Sequence, residues 1–150
     1  MQWCQKAIAG VTWNNNEYIP PTQYSNNSFD LIYAISVFTH LDEKYQTAWL
    51  NELYRIASVG ATLILTVHGE PIIETAVLTP EQQATLQQVG FLYVSGTTGK
   101  FKLDGLPDFY QTSYHTQNYI ERIWGSLFEI VAQVPRGIGS HQNAIILRKK

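Results

Sequence analysis

The chain has 150 residues, 45% of them hydrophobic, and a formal net charge of -2, which suits one domain with a buried core and excludes a disordered chain. Ten basic residues against twelve acidic ones leave no basic footprint, so nucleic acid is not expected as a partner. One cysteine, Cys4, excludes an internal disulfide and fits a reducing, cytoplasmic setting, while apolar runs well short of the roughly 20 residues of a spanning helix, with no basic-then-apolar leader, predict neither a membrane span nor a signal peptide.

Trp3, Ala7 and Ile8 recur at helical spacing and Gly10 stops them, which predicts the last turns of a helix over Met1 to Ile8. Val11 to Trp13 reads as a short strand, and Asn14, Asn15, Asn16 and Pro20-Pro21 as an irregular connection. Ser25, Asn26, Asn27 and Ser28 form a polar turn, because their side chains can hydrogen-bond their own backbone. Phe29 to Ile35 is then almost continuously apolar, the pattern of a parallel strand with helices over both faces. Its far end, Ser36 to Leu41, is the expected working surface.

Asp42 is placed to cap a helix running to about Ala57, with Tyr45, Ala48, Trp49, Leu53 and Ile56 on one stripe. Gly60 closes the connection, and Ala61 to Val67 reads as a second buried strand ending at His68-Gly69. Strand, helix and strand imply a right-handed parallel crossover. Thr79-Pro80-Glu81-Gln82 opens a helix that stops at Gly90. From Phe91 to Tyr114, Gly96, Gly99, Gly105 and Pro107 alternate with aromatics, as in a loop-rich insertion or lid. Thr116 caps a helix carrying Tyr119, Ile120, Ile123 and Trp124, and Leu127 to Val134 with Ala144 to Leu147 form an antiparallel pair.

Taken together, Phe29-Asp30-Leu31-Ile32-Tyr33, Ser36-Val37-Phe38-Thr39-His40-Leu41, Trp49, Glu52-Leu53, Arg55, Gly60 and Leu63 to Gly69 resemble class I S-adenosylmethionine-dependent methyltransferases. The resemblance extends over nearly the whole chain but covers only the later part of that fold. It implies a single domain over residues 1–150: a partial doubly wound α/β, mostly parallel sheet with a C-terminal antiparallel hairpin, lacking the family's first βαβ unit. Gly10, Gly60 and Gly69 are isolated, so no glycine-rich turn opens a helix after a strand. Without that unit the edge of the Phe29 strand is left unpaired, so either Val11 to Trp13 moves in to cover it or a second copy pairs there. A homodimer through this edge is expected.

By the resemblance, S-adenosylmethionine lies near Ala34, Ile35 and Ser36; the plain alternative is that these residues only end a strand. Asn15 or Asn16 falls where the family often reads the adenine amine, an amide being able to donate and accept, although consecutive asparagines are also ordinary turn material. Phe38 either stacks on adenine or belongs to the core. His68 is the general-base candidate, since neutral imidazole accepts a proton near pH 7, or else a structural loop residue. Tyr114 and His115 either reach substrate from the lid or help to begin the next helix. His40 is expected to organise its loop rather than react, and no metal is expected, because the histidines lack ligand spacing. The implied activity is O-methyl transfer to a small molecule or sugar; the alternative is a non-catalytic dimerisation or partner-binding module.

Overall fold

The computed structural model describes residues 2–95 and 107–150. Its main sheet has the order β1-β2-β6-β5, built from β1 (Phe29–Ala34), β2 (Ala57–Val67), β5 (Phe128–Ile138) and β6 (Gln142–Lys149). β1 and β2 run parallel, and β6 is antiparallel to both β2 and β5. A second sheet pairs β3 (Phe91–Val94) with β4 (Thr112–His115). The result is the mixed α/β architecture with a C-terminal antiparallel hairpin.

The helices begin where side chains supply the missing acceptors. Asp42 Oδ1 accepts from Tyr45 N at 2.8 Å and starts α2 (Glu43–Ile56). Thr79 and Gln82 form a reciprocal capping box at the start of α4 (Pro80–Val89), and Thr116 Oγ1 accepts from Tyr119 N at 3.2 Å to start α5 (Gln117–Ile123). Gly90 ends α4 at φ 83°, where a Cβ would lie 2.6 Å from Thr116 Oγ1, so no other residue fits without displacing the next cap. Two short α-helices, α1 (Gln2–Ala7) and α3 (Glu70–Ile73), and a 3-10 helix at Trp124–Ser126 complete the set among the described residues.

Several expectations change. Val11 to Trp13 is not a strand, and the outer edge of β1 has no partner among the described residues. A three-residue run between Gly10 and three asparagines offers too few ladder bonds to hold that edge. β2 begins at Ala57 directly after α2, with Gly60 inside it at φ 79°; there the register jumps from Phe29↔Ala57 to Leu31↔Thr62. The expected lid is bounded by paired β3 and β4, while Gly96, Gly99 and Gly105 of that stretch, like Met1, lie outside the described residues.

The core lies on one side of the sheet. Leu63, Leu65, Ile145, Leu147 and Phe128 pack there with Leu50, Leu53 and Ile56 of α2 and with Tyr119, Ile120 and Trp124 beyond them. The opposite face is open over β1, where Leu31 is 57% and Tyr33 71% exposed. Continuous apolarity in β1 led to an expectation of cover on both faces; the structure covers one.

Candidate functional site

At the carboxyl ends of β1 and β2 the chain turns sharply at Ser36, which sits at φ 57°, an uncommon region for a side chain with a Cβ. Three contacts hold it. Ser36 N donates to Thr66 Oγ1 at 2.8 Å, Gln142 Nε2 donates to Ser36 Oγ at 2.7 Å, and the Tyr110 hydroxyl reaches Ser36 O at 3.5 Å. The Ser36 amide is thus already committed within the protein.

Beyond Ser36 the loops bring His40, His68 and His141 together. The His68 ring lies 6.2 Å from His40, 5.5 Å from His141 and 5.8 Å from Tyr114, centroid to centroid, and His40 stacks on Tyr110 at 4.1 Å. His40 Nδ1 lies 2.7 Å from Gln111 O and His68 Nδ1 3.2 Å from Ser113 O. A carbonyl only accepts, so both Nδ1 atoms carry the proton and each neutral ring presents Nε2 as its basic atom. His68 Nε2 makes no hydrogen bond among the described residues. Burial, reinforced by the neighbouring His40 and His141, lowers His68 to about 4, so it is neutral at pH 7. Burial also lowers His40. Among the described residues no group of three or more ligating side chains could hold a metal ion.

The other candidates separate. Tyr114 stands beside His68, its hydroxyl pKa raised by burial. His115, the next residue, points into the core at 1% exposure. Its Nε2 donates to Gln46 Oε1 at 2.9 Å, an orientation fixed because Gln46 Nε2 donates to Phe38 O and Leu41 O. Burial lowers His115 to about 3. Phe38 is also enclosed, edge-on to Trp124 at 5.3 Å.

Beside β1 runs a second feature, a cleft of about 420 Å³ between the strand's free edge and α2. Phe29, Ile32 and Ala34 line one wall, Trp49 and Leu53 the other, with Asn16 at the rim. The outer segment is pinned to α2: Trp49 Nε1 donates to Tyr18 O at 3.0 Å, and Thr22 N and Oγ1 both donate to Glu52 Oε1. Arg55 bonds the same carboxylate and, with Thr22, holds Glu52 down to about 2. The cleft therefore gathers Asn16, Ala34 and Phe38, while Asn15 and Ile35 lie on the exposed surface outside its lining. Sequence reasoning did not assign His141, Tyr110 or Gln142 to this end of the sheet. The available signal was that His141 and Gln142 lead into a strand neighbouring β2.

Neither a protein-family profile nor a curated protein sequence matches the chain. Solved structures do. The PH0226 protein of Pyrococcus horikoshii superposes with TM-score 0.64 at 10% identity, over 99% of this chain and 64% of that one. A SAM-dependent methyltransferase of Methanosarcina mazei gives 0.50 at 17%, over 86% and 63%, and a possible exported protein of Bordetella parapertussis 0.50 at 12%, over 84% and 40%. This chain has a methyltransferase-like fold and spans less than two thirds of each of these structures.

The donors on hand match only one end of such a cofactor. An apolar cleft with an amide at its rim suits a nucleobase. Among the described residues no carboxylate lines it for a ribose diol, and no glycine-lined turn faces it for the amino-acid end. The described residues do not fit the whole group.

Proposed function

We propose that this domain forms the acceptor side of an S-adenosylmethionine-dependent methyltransferase acting on an oxygen of a small molecule. The observation that carries the reading is His68: a buried, neutral imidazole at the carboxyl end of β2, with Nδ1–H fixed on Ser113 O and Nε2 without a hydrogen bond among the described residues. Open α/β sheets bind their ligands at this end. An acceptor hydroxyl donating to Nε2 would lose its proton there, while Tyr114 and the stacked His40–Tyr110 pair form the walls. A ring with a pKa near 4 is always available but weakly basic. The acceptor that suits it has an acidic hydroxyl, a phenol or an enol, rather than an alcohol.

The cleft beside β1 supplies the wall for the cofactor's base, and the remaining anchors are not among the described residues. Calorimetric titration with S-adenosylhomocysteine and, separately, adenosine tests this part. Both are expected to bind weakly and alike, since only the base finds complementary walls. No heat from either at millimolar ligand, with the protein folded, would remove the cofactor from the reading. S-adenosylhomocysteine binding more than about tenfold tighter than adenosine, about 1.4 kcal/mol, would mean that the polar anchors are already present.

A further inference from the structure

The sheet has two outer edges, and they are built differently. β5 carries Pro135, two register irregularities and Glu129, paired with Arg148 at 3.5 Å, all of which discourage another strand. β1 has no proline; its one register irregularity lies at its start, between Phe29 and Leu31, and its one charge, Asp30, lies at the same end. From Leu31 to Phe38 there is no charge and no proline, and Leu31, Tyr33, Ile35 and Val37 are 57%, 71%, 40% and 40% exposed.

We propose that a second copy of this chain pairs antiparallel with the free edge of β1, making one continuous sheet across a two-fold axis. A two-fold contact must be self-complementary, and this edge is. With Ile32 opposite Ile32 of the second copy, Leu31 faces Tyr33 and Tyr33 faces Leu31 on the open side of the sheet, and Asp30 faces Ala34. Aliphatic-aromatic pairs are favourable across strands, and no like charges meet. The pairing satisfies the edge amides and carbonyls and covers the largest exposed apolar side chains of the strand. A six-residue edge with these side chains buries on the order of 1,000 Å² in total, the low end for a specific contact, so a micromolar rather than nanomolar dimer is expected. The paired strand would run along residues that also line the cleft beside β1, Leu31 and Tyr33 among them, so the second copy and the cofactor's base compete for one edge.

Sedimentation velocity from low to several hundred micromolar tests it. The mass should rise from 17.1 kDa toward twice that value, and amide exchange at residues 31–34 should slow over the same range. Tyr33→Lys should weaken the dimer at least about tenfold, since each copy then sets a lysine against Leu31 of the other beside the axis, while Val131→Lys on β5 should leave it unchanged. A mass of 17.1 kDa throughout overturns the proposal, as does a dimer that survives Tyr33→Lys or dissociates with Val131→Lys instead. Concentration-dependent exchange protection in the unsubstituted protein reads the same edge without any variant, and its absence also overturns the proposal.

Discussion

Ile32 and Tyr33 are adjacent in β1 and pair with Leu63 and Ile64 of β2, yet Ile32 packs against the core while Tyr33 stands 71% exposed. The two faces of this strand have similar apolar content and opposite environments. What separates them is the helical layer, present on the face of Ile32 and Leu63 and open over Leu31 and Tyr33. Apolar sequence therefore supplies the demand for cover; the topology decides which face receives it.

If stability comes from the covered face, the largest effect belongs at its centre. Trp124 is fully buried against Phe38 and His115, at ring distances of 5.3 and 5.9 Å. Trp124→Ala should cost about 3–5 kcal/mol in urea denaturation, the sum of lost transfer energy and the void left behind. A loss below about 1 kcal/mol would mean that the helical layer is not what holds the sheet.

The covered side also has a pH signature. His68 and His115 titrate near 4 and 3 when folded, against 6.5 unfolded, both because burial disfavours the charged ring. Between those values the unfolded chain binds more protons, so stability is complete above about pH 6.5 and falls as the pH drops toward 4. Glu52, held near 2, adds its own loss only below about pH 4.5. Going from pH 7 to 5 should therefore cost on the order of 3 kcal/mol. His115→Gln should remove about half of that dependence, whatever it does to stability at pH 7; an unchanged slope would show that His115 is not the buried titrating group.

What the chain betrays in sequence is local. Asp42, Thr79 and Thr116 each act on an amide three residues on, and each was readable as a cap. The hairpin followed from two apolar runs separated by polar turn residues. The open face was not readable, because continuous apolarity in β1 describes side chains and not the layer above them. The candidate site divides in the same way. His68 stands at a strand end that the pattern located, whereas His40 and His141 reach it through strand order, which no spacing encodes. The separation of Tyr114 from His115 was readable in principle: adjacent residues of a strand point to opposite sides, so the two could not serve one site together.

The smallest effect is the sharpest test of the comparison. Tyr33→Ser deletes an aromatic ring from β1, a change that would cost several kcal/mol on the face of Leu63. On the open face, the ring of the single chain is already largely in water, and its removal forfeits little transfer energy. At dilute, monomeric concentration the expected loss is below about 0.5 kcal/mol by chemical denaturation. A loss above about 2 kcal/mol would mean that something covers this face in the isolated chain after all, and the contrast between the two sides of β1 would collapse. At high concentration the same substitution should become costly, because the ring then has a second copy to lose. A stability difference that grows with protein concentration separates an open face awaiting a partner from one that is merely tolerated.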